Sequence, residues 1–310
     1  MPETTMKAIR FHSYGDPAVL VLELAPRPEP KPGEVLIRVH AAGVNPVDWK
    51  FRKGFMKANV PLQMPHTPGF DVSGTIEAVG PGVTGSQEGQ AVFGRGTGTY
   101  AEFAVAPSGQ IAQKPAKLSF EQAAAVNIGA VTAWCGLFDS AGLQAGQRVL
   151  ISGAAGGVGH FAVQLARWKG AHVTGTASRG NLDFVRSLGG EKALDYATTP
   201  AGSLGRTMDV VFDTVGGAAQ APLWEALRPG GVFVTIAGRV TEETAKQHEA
   251  RTASVSAKTT TELLQKIAGL IESGEVVPHV GQVFPLAEAV RAHMLSETGH
   301  GRGRIVLKVR

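Results

Sequence analysis

A single cysteine, Cys135, is all the thiol chemistry this sequence has. One thiol excludes an intramolecular disulfide framework and any zinc lobe held by four cysteines, and it suits a reducing compartment. Charge is also scarce: 18% of residues are charged, the formal net charge is +4, and the basic residues are scattered apart from a tract at Arg302, Arg304, Lys308 and Arg310. That balance gives no footprint for nucleic acid. Within the tract, Ile305, Val306, Leu307 and Val309 alternate with the charges as a half-buried strand does. Long apolar runs are missing too. The most apolar stretch, Ala123 to Cys135, is broken by Asn127 and too short to span a bilayer, and Met1 to Phe11 lacks the apolar centre of a signal peptide. The expectation is a cytoplasmic protein that works on a small molecule, with neither nucleic acid nor membrane as partner.

Several catalytic constellations are absent as well. The three tyrosines, Tyr14, Tyr100 and Tyr196, are followed four residues later by Ala18, Ala104 and Pro200, so none has the lysine that would lower its phenol pKa for proton transfer. His248-Glu249 has Thr252 where a zinc-protease helix needs its second histidine. Pro107-Ser108-Gly109 lacks the preceding glycine of a serine-hydrolase elbow. Cys135, between Trp134 and Gly136 in an apolar run, reads as a small core residue and not as a nucleophile.

What remains describes a turn-rich enzyme: 310 residues, enough for two packed domains, with 40 glycines, 18 prolines and 43% hydrophobic residues. Up to about residue 120, short β-patterned runs (Lys7 to Phe11, Glu34 to Ala41, Gly74 to Val79, Ala91 to Phe93, Ala101 to Ala106) alternate with turns such as Pro30-Lys31-Pro32-Gly33. From Ser119 the texture changes. An Ala-rich helical stretch leads to an apolar strand (Arg148 to Ser152), a glycine turn, a helix (His160 to Lys169) and a second strand (His172 to Thr176), which make one βαβ unit. Two further apolar runs, Met208 to Asp213 and Gly231 to Ala237, flank a helix-like Gln220 to Leu227, as a doubly wound parallel sheet requires. The fold class is α/β. A final helix (Leu286 to Met294) and strand (Arg304 to Val309) could finish either domain.

The glycine turn runs Gly153-Ala154-Ala155-Gly156-Gly157-Val158-Gly159 between a strand and a helix. In that context Ala154 is expected to permit the tight turn, Gly156 to let a pyrophosphate approach the backbone, and Gly159 to let helix and strand pack closely. The helix N-terminus then offers free N–H groups to the phosphates. NAD sites place an acidic residue about 20 residues further on, yet no acidic residue occurs between Gly159 and Asp183. The second strand ends in Ser178-Arg179-Gly180-Asn181 instead, where Arg179 can pair with a 2′-phosphate and Ser178 and Asn181 can add hydrogen bonds. The cofactor expected is NADPH.

The chain resembles the zinc-independent medium-chain dehydrogenase/reductases, in the quinone oxidoreductase and alkenal/enone oxidoreductase branch. The likeness rests on Met6-Lys7-Ala8-Ile9, the loop Ala42 to Asp48, Pro65 to Gly80, the glycine turn, Asp195-Tyr196, Phe212 to Gly217 and the closing Gly303-Arg304-Ile305-Val306-Leu307. It implies a GroES-like β-rich catalytic domain (1–126 with 266–310) and a Rossmann NADPH-binding domain (127–265). Zinc relatives hold their metal with a cysteine in the first loop and a histidine in Gly-His-Glu; here those positions read Asn45 and Gly69-Phe70-Asp71, so no metal is expected. The resemblance places the nicotinamide near Asn45, Thr132 and Ile236-Ala237-Gly238. It adds contacts from Gly156, Gly157, Val158, Thr214, Val215, Gly303 and Arg304, with Tyr196 beside the adenosine phosphate. Asp48-Trp49-Lys50 looks more like the alkenal and enone reductases than like the quinone reductases. Hydride would pass to a quinone or an α,β-unsaturated carbonyl, with Lys50 and the Asn45 amide as the candidates to stabilise negative charge on the acceptor oxygen. A homodimer through the Rossmann sheet, by pairing of the Gly231 to Ala237 strand, is also implied. A different class of function, an NADPH-binding sensor or scaffold without catalysis, is separated from this one by turnover of activated acceptors.

Overall fold

The computed structural model describes residues 4–310. Its first unit opens with an antiparallel pair, β1 (Thr5–Arg10) and β2 (Val21–Pro26). The long β3 (Glu34–Val44) follows and is buried on both faces. Val35, Ile37 and Val39 pack with Val72, Ile76 and Val92, whereas Leu36 packs with Met6, Ala25 and Phe103. That is why this strand reads as an apolar run and not as a strict alternation. Pro46 then starts α1 (Pro46–Arg52), and the Asp48 carboxylate accepts the Asn45 N–H at 2.8 Å, closing the helix N-terminus. β4 (Asp71–Val79), β5 (Ala91–Arg95), β6 (Phe103–Pro107) and β7 (Ile111–Gln113) complete this run, and α2 (Phe120–Ala124), capped by Ser119, leads out of it.

The second unit is α3 (Asn127–Trp134), β8 (Arg148–Ser152), α4 (Gly159–Trp168), β9 (His172–Ala177), α5 (Leu182–Ser187), β10 (Lys192–Asp195), β11 (Met208–Asp213), α6 (Gln220–Ala226), β12 (Leu227–Thr235), α7 (Glu242–Gln247), β13 (Arg251–Ser254) and α8 (Thr261–Glu272). Its six strands are all parallel in the order β10-β9-β8-β11-β12-β13. The order reverses between β8 and β11, so a crevice opens beyond the carboxyl ends of those strands. Alternate residues cover the two faces: Val149 and Ile151 join Phe161 of α4 and Leu264 and Ile267 of α8, while Leu150 joins Leu223 and Trp224 of α6.

The C-terminal residues return to the first unit. β14 (Val280–Pro285), α9 (Ala289–Glu297) and β15 (Arg304–Lys308) follow α8, and β15 pairs antiparallel with β3 from Ile305 opposite Val44 to Lys308 opposite Ala41. The 265/266 boundary read from the sequence falls inside α8, whose Leu264, Ile267 and Ile271 all belong to the second unit's core. The chain crosses back after that helix. One expectation is corrected here: of the run Gly231 to Ala237, Gly231 to Thr235 lies in β12, which is hydrogen-bonded to β11 on one side and β13 on the other. With both edges taken, it cannot pair with a second copy. No helix among the described residues is long and apolar enough to cross a membrane.

Candidate active site

The glycine turn joins β8 to α4. Gly153 takes φ +68°, so the left-handed position belongs to it and not to Ala154, as the spacing had suggested. Ala154 is fully buried instead, its N–H bonded to the Thr176 carbonyl at 2.9 Å. A Cβ on Gly159 would stand 2.1 Å from the Gly153 carbonyl oxygen, and one on Gly156 3.2 Å from the same atom. The turn is therefore a cradle of bare backbone at a helix N-terminus, with Val158 half-buried at its rim, and it fits a dinucleotide pyrophosphate. α3 lies against it, since a Cβ on Gly129 would meet the Gly157 carbonyl at 2.6 Å, and Thr132 sits half-buried one turn further along.

The other predicted cofactor residues gather on the same rim. Ser178, Arg179 and Asn181 follow β9, and Tyr196 follows β10, whose Asp195 is in register with Ala177. Arg179 is exposed, and Asn181 donates to the Ser178 hydroxyl at 3.1 Å. Thr214 and Val215 follow β11, with the Thr214 hydroxyl donating to the Ser152 carbonyl at 2.6 Å. Ile236, Ala237 and Gly238 follow β12. Gly303 reaches the turn from the C-terminus, its N–H bonded to the Ala155 carbonyl at 2.8 Å.

Sequence reasoning missed two residues here. Arg302 donates to the Asn181 side-chain oxygen (3.0 Å) and to the Gly180 carbonyl (3.1 Å), which brings a second guanidinium to the Ser178–Asn181 loop. It lay in a tract read only as an alternating strand. His160 is fully buried, and its Nδ1 lies 2.8 Å from the Gly156 carbonyl. Burial pushes its pKa down to about 3, so the ring is neutral. Because its partner is a carbonyl, Nδ1 must carry the proton, leaving Nε2 to accept the His279 N–H at 3.4 Å. The imidazole thus ties the cradle to the segment returning to the first unit, and no local pattern marks it.

Arg304 and Asn45 are buried and paired within the protein. Arg304 is 3% exposed, and its Nη2 donates to Asp71 Oδ2 at 2.7 Å and to the Asn45 side-chain oxygen. Its guanidinium lies beside Gly157, where an added Cβ would stand 3.1 Å from Nη1; Nη2 pairs with Asp71, and Nε has no partner among the described residues. Asn45 is fully buried; its Nδ2 donates to Asp71 Oδ2 at 3.0 Å and to the Gly43 carbonyl at 3.4 Å. Asp71 Oδ1 accepts Asn127 Nδ2 (2.8 Å) and the Ile128 N–H (3.0 Å), so this carboxylate locks β3, β4, α3 and β15 together. A zinc ion does not fit these residues: the corresponding positions hold an amide, the Phe70 ring and a carboxylate paired with arginine. Among the described residues no cluster of three His, Cys, Asp or Glu side chains could hold a metal. Cys135 is buried, which raises its thiol pKa to about 11 and keeps it protonated.

Below Asn45 runs a second buried chain. Tyr100 donates to Asp48 Oδ2 at 2.9 Å, His293 Nε2 lies 3.3 Å from the Tyr100 hydroxyl, and Arg52 Nε donates to His293 Nδ1 at 3.3 Å before pairing with Glu297. Burial raises the Asp48 pKa to about 7, against the opposing hydrogen bonds from Asn45 and Tyr100. Beside α1 opens a cleft of about 320 Å³ lined by Val47, Phe51, Val60, Leu62, His66, Phe70 and Arg95. Lys50 is not among its lining residues; its ammonium lies 5.6 Å from the Trp49 ring centroid.

A β-rich unit, a parallel sheet in 3-2-1-4-5-6 order and a bare glycine cradle at a helix N-terminus point to one family, and comparison agrees. Residues 31–116 match the alcohol dehydrogenase GroES-like domain and residues 188–307 the domain described as zinc-binding dehydrogenase. The pig quinone oxidoreductase is 36% identical, covering 96% of this chain and 95% of its own. The chloroplastic NADPH-dependent alkenal/one oxidoreductase of Arabidopsis thaliana is 34% identical over 97% of this chain and 79% of its own. A quinone oxidoreductase structure from Coxiella burnetii superposes with a TM-score of 0.90 at 36% identity, covering 99% and 100% of the two chains. The chain belongs to the zinc-independent medium-chain dehydrogenase/reductases. It is an oxidoreductase of the quinone and alkenal branch, and its zinc-named domain match reflects the fold of that superfamily, since Asn45 and Phe70 stand where the cysteine and histidine ligands would be and Asp71 is paired with Arg304.

Proposed function

We propose that this enzyme reduces quinones or α,β-unsaturated carbonyl compounds with NADPH and without metal. The observations that support the reading are the bare glycine cradle at the N-terminus of α4 and, beside α1, a cleft whose lining is apolar apart from His66 and Arg95. When bound, NADPH supplies the hydride, and the acceptor takes its proton from solvent. The residues of this chain then have three tasks. The cradle and the rim residues Thr214, Val215, Ile236, Ala237, Gly238 and Gly303 hold the dinucleotide. Ser178, Arg179, Asn181, Tyr196 and Arg302 favour the 2′-phosphate form. Val47, Phe51 and Phe70 keep the acceptor dry and oriented, which suffices for a carbonyl conjugated to C=C.

Asn45 has no N–H to spare, so its role in this reading is to position Asp71 and Arg304, and Lys50, which does not line the cleft, has no part in it. The buried thiol suits a cytoplasmic setting, and a homodimer through the parallel sheet would have to use an outer strand such as β13. Steady-state oxidation of NADPH, with NADH as control, by metal-stripped enzyme tests the reading. Turnover of an ortho-quinone, a short enone or an alkenal but not of a simple ketone is the expected result. Inertness toward all four with intact NADPH binding would move the protein to the sensor class.

A further inference from the structure

Six of the seven side chains around the acceptor cleft carry no charge, His66 included, since burial lowers its pKa. The seventh is Arg95, half-buried at the end of β5, with its guanidinium 4.6 Å from the centroid of the Phe70 ring. Among the described residues it makes neither an ion pair nor a side-chain hydrogen bond. The carboxylate in register with it across the sheet is Asp71, and both oxygens of Asp71 are taken by Asn45, Arg304, Asn127 and the Ile128 N–H. Arg95 is therefore a partly desolvated cation that faces an apolar cleft and lacks a counter-ion. Such a group is stabilised by an anion that arrives with the ligand, and the ring behind it fixes the plane of its donor fork.

We propose that Arg95 makes this cleft selective for acceptors that carry a carboxylate in addition to the conjugated carbonyl. The carbon skeleton lies against Phe51 and Phe70, and the carboxylate takes two N–H donors of the guanidinium. This deepens the reductase reading and rests on it. Bidentate pairing of this kind is worth roughly tenfold or more in affinity.

The test compares (E)-4-oxopent-2-enoate with its methyl ester, using NADPH and the full-length protein, wild type, Arg95→Met and Arg95→Lys. The readout is the ratio of kcat/KM for acid over ester. Arg95→Met is expected to lower that ratio at least tenfold through KM for the acid, and Arg95→Lys to restore part of it. A ratio that stays within twofold in Arg95→Met overturns the proposal. If acid, ester and quinones are all left unreduced, the reductase reading fails by itself. Calorimetry with 4-oxopentanoate, which cannot accept hydride at C=C, then decides about Arg95: binding at least tenfold tighter to wild type than to Arg95→Met sustains the site, and equal or absent binding removes it.

Discussion

The glycine cradle keeps its shape largely through backbone, at Gly153, Gly156 and Gly159, with the His160 ring bonded to the Gly156 carbonyl. The acceptor wall keeps its shape through buried side chains brought from distant segments: Asn45, Asp48, Asp71, Tyr100, Asn127 and Arg304. A backbone cradle fails where an added atom meets fixed backbone, whereas a side-chain network fails where a partner is lost. The two should therefore fail in different ways. The sharpest contrast is within the cradle. Gly159→Ala drives a methyl to 2.1 Å from a carbonyl oxygen of the preceding turn, where neither backbone can yield. It should cost about 4–5 kcal/mol of stability, visible as a large loss of Tm. Gly156→Ala meets the same oxygen at 3.2 Å, and should leave the fold nearly intact while weakening NADPH binding in a fluorescence titration. Equal Tm losses in the two variants would contradict a division between packing glycine and ligand glycine.

The acceptor wall predicts the next effect. Arg304→Met leaves the Asp71 carboxylate buried without its cation, a loss of about 3–5 kcal/mol in denaturant unfolding. Arg304→Met combined with Asp71→Asn should recover part of that, because the uncompensated charge is gone. Double-mutant losses that simply add would show that the two residues act independently.

That contrast also explains what could be read from the chain. β8 and β11 are found at the residues expected, because a buried parallel strand bounded by turns writes itself as an apolar run. The glycine cradle was legible for the same reason: its chemistry lies in seven consecutive residues. The place of Arg304 in the closing motif could be read locally, while its buried ion-pair partner, Asp71, lies 233 residues away and could not. His160 sits inside an ordinary apolar helix pattern, and its bond to the Gly156 carbonyl exists only once that helix is built. Short or edge strands such as β10 and β13 were missed because four residues carry too little periodicity.

A smaller effect sharpens the cofactor side. Arg179 is exposed at the end of β9, and a charge-assisted contact with a 2′-phosphate is worth about 1.5–3 kcal/mol. Arg179→Gln should narrow the NADPH-over-NADH ratio of kcat/KM by roughly ten- to a hundredfold. Arg302→Gln should act in the same direction, since Arg302 holds the loop through Asn181 and Gly180. An unchanged ratio in both variants would place the phosphate elsewhere.

The smallest effect lies in the acceptor wall and depends on pH. Asp48 is fully buried, and desolvation lifts its pKa from 3.8 to about 7 in the folded protein. The folded state therefore keeps a proton that the unfolded chain has already released between those two values. Stability must fall as pH rises through that window, and level off once both states are ionised above pH 7. Asp48→Asn keeps an oxygen for the Asn45 N–H and the Tyr100 hydroxyl, and places an amide where Asp48 Oδ1 has no partner. It removes the titration without removing the helix closure. The stability difference between variant and wild type should move in the variant's favour by about 1 kcal/mol between pH 6 and pH 7, and stay constant above pH 8. A difference that is flat from pH 5 to 8 would mean that Asp48 is ionised throughout, with Tyr100 and Arg304 outweighing the cost of its burial.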